Sequence, residues 1–475
     1  MSLKLSDFPL DILLELGKQL DLPDSLHLAA TCTTCAAVLL SPSFWIESLH
    51  RMEKIHRRPI PCSPGTDFAA LPLDTLRNMA VHAYKLRKNW TFESGPLLAT
   101  ARSFTIRCEG YMLHIFPIEG THMVVTVFHD GLACWSTTSG EFLGRRDLDS
   151  IKGGYWKSSS SLFILLGCAL WDSHIMISEF IVFPDASQYL CYPSHGGQLI
   201  LAVIGVNYRD PEAVTVSLNF SRSWPLPDRI SIECVLVSEN TVGVVGSTKD
   251  DAPCLFYCRT AQPKELCRLT LELQPTSPAA FAGVSIGLDF VIFRQDHGPS
   301  AEIIHMGPMH MHSTRHELTR VVVRPYENVA LTCHIRPPTY GILNVAQRPT
   351  EGGTAHRVLF WPAEYSAARV SSDSDPSLTV GPLCWYEHPG SINRIAVGSS
   401  GTSVLVKDSD YTYLLLQYIP GTMPHVKSRR LKVPPMSQHP WTLVGLDDRL
   451  GVLYLAYMGL EPEKLGYQVK VLEFV

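Results

Sequence analysis

His129-Asp130-Gly131-Leu132-Ala133-Cys134-Trp135, followed by Ser139-Gly140-Glu141, is the stretch on which the fold turns. Asp-Gly is a tight-turn signal, the residues after it are apolar and end on an aromatic, and a second glycine-bearing turn follows. Just upstream, Met123 to Phe128 is a short run of β-branched and aromatic residues. The reading is strand, turn, strand, turn. Outward from it the texture repeats. Leu199 to Val206, Ile230 to Val237, Val242 to Val245 and Val329 to Cys333 are similar runs. So are Val358 to Trp361, Val404 to Val406, Tyr411 to Tyr418 and Val452 to Tyr457. Between them lie Gly, Pro, Asp and Ser, and from about Ser94 no long helical period survives. Many short strands at regular spacing mean an all-β sandwich, barrel or propeller. A region of about 380 residues exceeds what one sandwich or small barrel uses. Radial repetition fits it, because it leaves only short protected edges.

The opening stretch resembles the outer hairpin of a WD-repeat blade. Gly398-Ser399-Ser400-Gly401-Thr402-Ser403-Val404-Leu405-Val406 resembles the middle strands of such a blade. Arg357-Val358-Leu359-Phe360-Trp361 resembles an outer strand, and Pro389 to Ile395 the approach to an inner one. Blades of about 40 to 45 residues give seven or eight of them. Closing such a ring needs strands from both ends of the region in one blade, since an open ring leaves two flat edges. Ser103 to Arg107 and Gln468 to Val475 are the candidates.

The N-terminal part has a different period. Pro9 sits where a helix begins, with Asp11 in its first turn at the positive end of the helix dipole. Ile12, Leu13, Leu16 and Leu20 recur at helical spacing as one apolar stripe. Pro23 and Asp24 open a second helix. Thr31 to Leu40 forms a third, Ser41-Pro42 stops it, and Phe44-Trp45 begins a fourth. Helices this short bury too little surface to stand alone. They finish their core on a partner or on the next domain.

Leu5 to Trp45 resembles an F-box. Phe8-Pro9 fills its Leu-Pro step, Asp11 its acidic site, Ile12-Leu13 its apolar pair, Thr31-Cys32 its Val-Cys step and Phe44-Trp45 its closing aromatic. Gly17 stands where a second large apolar residue is usual, Thr31 replaces valine, and Thr33, Thr34 and Cys35 follow where a basic residue is usual. The resemblance implies binding to the Skp-type adaptor of a cullin ligase core through Phe8, Pro9, Ile12, Leu13, Leu16, Leu20 and Leu28. An ordinary helical cap on the large domain is the alternative.

His50 to Arg58 is basic and reads as the solvated end of a helix, closed by the breaker Pro59 to Gly65. Leu71 to Trp90 is helical again, with Leu73, Leu76, Ala80, Ala83, Tyr84 and Leu86 on its apolar face. Tyr84 to Trp90 resembles the helix that joins an F-box to a propeller in related ligase subunits. Its own reading is a stiff connector whose basic side faces water.

Several function classes find little in the chain. Its 475 residues carry 40 Lys+Arg against 45 Asp+Glu, a net charge of -5, so nothing demands a nucleic-acid or membrane partner. The 13 cysteines are irregularly spaced and odd in number, which reads as reduced thiols in cytoplasm or nucleus. Lys4, Asp7 and Pro9 interrupt what a signal peptide needs, and the longest apolar run, Leu162 to Trp171, is too short to span a membrane. Gly283-Val284-Ser285-Ile286-Gly287 matches a nucleophile elbow, but a strand-like run follows where a helix is required. Cys32-Thr33-Thr34-Cys35 lacks the second ligand pair of a zinc site, and Cys254 to Cys258 reads as strand. His305, Met306, Met309, His310, Met311, His312 and His316 carry soft and borderline metal ligands beside Gly307-Pro308 and read as a His-rich loop.

The expected architecture is therefore mixed: a short all-α F-box-like module over 1–50, a helical connector over 51–93, and an all-β propeller of seven or eight blades over 94–475. The expected function is the substrate-recognition adaptor of an SCF-type ubiquitin ligase, not an enzyme. No catalytic, cofactor or metal residues are expected, and the protein substrate is unknown. Two alternatives remain: a scaffold or sensor propeller outside any ligase, and, more remotely, a propeller-fold hydrolase.

Overall fold

Three prolines set where the N-terminal helices start. α1 (Leu10–Gln19) follows Pro9, α2 (Leu22–Ala29) has Pro23 in its first turn, and α4 (Pro42–Lys54) begins on Pro42. Between them, α3 (Thr33–Ala36) runs into a 3₁₀ turn over Ala37–Leu40, and α5 (Leu73–Arg87) ends in a wide π turn over Lys88–Phe92. The structure, a computed structural model, describes residues 7–54, 59–62 and 66–92, then the strands and shorter turns between 97 and 474. Between 148 and 385 it describes backbone, with side chains at Cys254, Leu255, Phe256, Arg268 and Val358. No helix among the described residues is long and apolar enough to cross a membrane.

The helices close around Leu13, Val38, Phe44, Trp45, Leu49 and Leu76. Trp45 is wholly buried; its indole N–H donates to the Leu39 carbonyl at 2.9 Å, and Phe44 meets its ring edge-on. That satisfies the one polar atom of a large buried ring.

From Thr100 the chain is β. Among the described residues it forms seven four-stranded sheets, over 112–147, 163–225, 231–270, 280–323, 330–388, 392–431 and 443–473. Each is antiparallel and runs in chain order, except that the last takes its fourth strand from the other end of the chain. There Thr100–Arg107 pairs with Gly466–Glu473 along its whole length, from Thr100 opposite Glu473 to Arg107 opposite Gly466. This is the closure expected of Ser103 to Arg107 and Gln468 to Val475. The first strands of successive sheets lie side by side from 163–171 through 443–447 and on to 112–118. The first two sheets meet through their outer strands, Phe142–Asp147 and Thr215–Pro225. Among the described residues these contacts close a ring, the arrangement of a β-propeller. A further two-stranded ribbon, Ala363–Glu364 with Thr379–Val380, sits in the excursion before the last strand of the fifth sheet.

The opening stretch lies as read. Gly131–Ser136 and Phe142–Asp147 are the third and fourth strands of the 112–147 sheet, and Gly140, at φ +73°, makes the turn between them. Buried Trp135 donates its indole N–H to Thr126 Oγ1 on the second strand at 2.9 Å. Ile392–Val397 is the first strand of its sheet, as Pro389 to Ile395 anticipates. Arg357 to Trp361 is different. It belongs to the third strand, Gly353–Trp361, paired on one side with Ile342–Thr350 and on the other with Cys384–His388, so it is not an outer strand. A two-sided strand and an edge strand carry the same β-branched and aromatic composition, which is why the run alone does not separate them.

The connector packs along the apolar face expected of it, with Lys85 and Lys88 facing water. Leu76, Met79, Ala80 and Ala83 of α5 belong to the helical core. Leu86 and, beyond it, Trp90 belong to a core shared with Leu405, Tyr413, Leu446, Leu453 and Phe474 of the last two sheets. One helix is thus a wall of both cores. Its carbonyl end is held by the strand His425–Leu431: Arg429 donates to the Asn89 carbonyl and Lys427 to that of Thr91. His82 Nε2 donates to the Leu450 carbonyl at 3.2 Å, and Arg449 reaches the Ile60 carbonyl at 3.5 Å.

Candidate docking face on the N-terminal helices

α1 has two apolar sides. One is closed inward by Leu13, which is wholly buried, and by Gly17. A Cβ on Gly17 would stand 3.1 Å from Phe44 Cε2 and 3.5 Å from Val38 Cγ1, so α1 lies against α4 at a distance that hydrogen permits and a methyl group crowds. This explains the glycine where the resembled family has a large residue. The other side carries Ile12, 42% exposed, and Leu16, 39% exposed, one helical turn apart. Leu10 at the start of α1 is 45% exposed. The turn that ends in Leu40, 72% exposed, packs against α1.

The seven residues expected to meet an adaptor differ in exposure. Pro9, Ile12 and Leu16 face outward. Phe8, Leu20 and Leu28 are half-buried, with Phe8 and Leu28 packed on the helical core. Leu13 is wholly buried inside that core. Leu10 and Leu40 are exposed apolar residues that the pattern did not select. Leu10 falls off the stripe counted from Ile12, and Leu40 ends a 3₁₀ turn, where the 3.6-residue count no longer applies.

Arg51 fixes the far end of α1. Its guanidinium donates to the carbonyls of Lys18, Gln19 and Leu20, three of the acceptors that a helix C-terminus leaves unmatched. In the sequence Arg51 belongs to a basic run read as a solvated face; in the fold it is a cap. Ser25 Oγ adds a bond to the Gly17 carbonyl at 3.3 Å. On the outer side, exposed Asp11 and Glu15 stand one turn apart beside Ile12 and Leu16, and Glu15 pairs with Lys18 at 2.5 Å. The face is an apolar strip with an acidic border, held on a tied helix.

The remaining sequence candidates fall as follows. Ser285 lies inside the strand Ala280–Ile286, opposite Phe290 in the hairpin with Asp289–Gln295. A nucleophile elbow needs strand, turn and helix, so that context is not present. His305 and Met306 are strand residues opposite Thr319 and Leu318, and 307–317 lie outside the described residues. Cys32 and Cys35 straddle the start of α3. No group of three or more His, Cys, Asp or Glu able to hold a metal occurs among the described residues.

No protein-family model matches the chain, and no curated protein matches it. Among solved structures, the β-propeller domain of Myceliophteria thermophila Cps50 (Swd1) is similar at 13% identity and TM-score 0.45, over 79% of this chain and 100% of that one. The WD40 domain of SCAP from fission yeast is similar at 10% identity and TM-score 0.35, over 79% and 98%. The hydrazine synthase of Kuenenia stuttgartiensis is similar at 9% identity and TM-score 0.39, over 74% and 94%.

Proposed function

We propose that the protein is the substrate receptor of a cullin-type ubiquitin ligase. In this reading its N-terminal helices bind a Skp-type adaptor, and its seven-bladed, WD-repeat-like propeller binds a protein substrate in the cytoplasm or nucleus. The observation that carries the proposal is the exposed pair Ile12 and Leu16, on a helix whose other side Leu13 and Gly17 already close. A helix with one packed side needs no second apolar strip to fold, and each exposed side chain forgoes about 25 cal/mol per Å² of apolar surface. An adaptor's apolar surface would recover that free energy. The acidic border of Asp11 and Glu15 favours a basic rim on the partner.

The joint along α5 supports the same reading. A receptor contributes proximity, raising the concentration of substrate lysines near the charged ubiquitin carrier, and a stiff joint holds that distance. The test is capture of the Skp-type adaptor and cullin by the full-length protein. Ile12→Asp places a charge in the strip and should abolish capture while the thermal unfolding midpoint stays unchanged. Capture at the wild-type level by Ile12→Asp would overturn the proposal. Absence of capture by the wild-type protein would leave an interaction propeller outside any ligase.

A further inference from the structure

Cys32 and Cys35 sit at the N-cap and third positions of α3. Cys32 has extended backbone, φ -162° and ψ 164°, and its Sγ accepts the Cys35 amide N–H at 3.5 Å. This holds the Cys32 sulfur over the first turn, on the side where the Cys35 side chain starts. The two thiols also lie within hydrogen-bond reach of one another, close enough for one sulfur to attack the other. Cys35 is 1% exposed among the helical core, and Cys32 is half-exposed at its rim. One thiol of the pair is open to a small reagent and the other is kept behind it. We propose that Cys32 and Cys35 are a hydroperoxide-sensitive dithiol, Cys32 attacking and Cys35 resolving, that closes to a disulfide across the first turn of α3.

The chemistry balances with hydroperoxide as oxidant. The Cys32 thiolate attacks the distal peroxide oxygen, the O–O bond breaks, and the leaving alkoxide or hydroxide takes a proton to become alcohol or water. Cys32 is then a sulfenic acid. Cys35 loses its proton and attacks the Cys32 sulfur, the S–O bond breaks, and hydroxide leaves as water. Two thiols lose two electrons and two protons in total, and one hydroperoxide is reduced. The hydrogen bonds from Cys35 lower the Cys32 pKa, whereas burial pushes the thiol of Cys62 up to about 11 and that of Cys134 up to about 12. The attacking thiol is thus distinguished from thiols whose pKa burial raises. The bond would clamp the start of the segment that ends in exposed Leu40. The site stands whether or not the helices bind an adaptor.

The experiment treats full-length protein with one equivalent of hydrogen peroxide and maps the peptides by mass spectrometry. A Cys32–Cys35 disulfide should appear before any other pair among the 13 cysteines. Cys32→Ser, which keeps a capping oxygen, should abolish it. Cys35→Ser should leave a sulfenic acid at Cys32 that dimedone traps. Because Cys35 is buried and its variant is open to misfolding, a second measurement uses the wild-type protein. Cys32 should alkylate at least about tenfold faster than Cys62 or Cys134. Another pair oxidising first, or Cys32 alkylating no faster than Cys62, would overturn the proposal.

Discussion

Gly17 lies under the ring of Phe44 so closely that a Cβ there would stand 3.1 Å from Cε2 and 3.3 Å from Cδ2. Phe44 is 1% exposed and has little room to withdraw. Gly17→Leu should therefore force α1 away from α4 and destabilise the helical module by about 1–3 kcal/mol. Gly17→Ala gains about 1 kcal/mol of helix propensity, which offsets the milder crowding and leaves it near neutral. Urea unfolding followed by Trp45 fluorescence distinguishes them. A Gly17→Leu midpoint equal to the wild type would show that the two helices do not pack this way.

Gly451 makes the joint between the helices and the ring. It has φ +72°, and a Cβ there would lie 2.3 Å from Leu86 Cδ1. Gly451→Ala meets both a left-handed backbone and a displaced Leu86, so a loss of about 1–3 kcal/mol is expected. It should also expose α5 to limited proteolysis while the sheets stay protected. Unchanged cleavage of α5 would argue that Leu86 does not hold the joint.

The same joint should weaken in acid. Burial pushes the pKa of His82 down, helped by nearby His122 and Lys85 and opposed by the Leu450 carbonyl and Glu473. Burial also pushes His122 down, helped by Arg102 and opposed by Glu473. With both folded-state values below the unfolded value of about 6.5, the unfolded chain takes up protons first as pH falls. Their contribution to stability is complete above about pH 6.5 and is lost progressively as pH falls toward the folded values. The unfolding midpoint should fall between about pH 7 and about pH 5, and less steeply in His82→Asn. Equal pH slopes in the two proteins would remove His82 from the account.

Ring closure depends on one strand. Gly466–Glu473 pairs with Thr100–Arg107 on one side and Val452–Met458 on the other. Deleting 466–475 strips both neighbours of a partner and bares two strand edges. The truncated protein should be recovered insoluble or without a cooperative transition. A soluble truncation that unfolds in one sharp step would contradict closure through this strand.

Much of this was legible in the chain. Pro9, Pro23 and Pro42 mark helix starts, because a ring that fixes φ and lacks an N–H acts through local geometry alone. Met123 to Phe128 is a strand with the bounds read from its composition, and the closing strands were legible because a ring must not leave open edges. The roles of Arg357 to Trp361 were not, since the number of neighbours a strand has is set by distant segments. Arg51 looked like one charge in a basic run; its role as a cap exists only where α1 ends beside α4.

The sequence alone determined the two kinds of chain here, helical before Phe92 and stranded after Thr100, because periodicity and turn chemistry are properties of neighbours along the chain. Tertiary structure decided which side of α1 is covered. Ile12, Leu13 and Leu16 are equally apolar, and only the arrival of Phe44 against Gly17 draws Leu13 inside and leaves Ile12 and Leu16 facing out. Burial is a relation between segments, and no local pattern contains it.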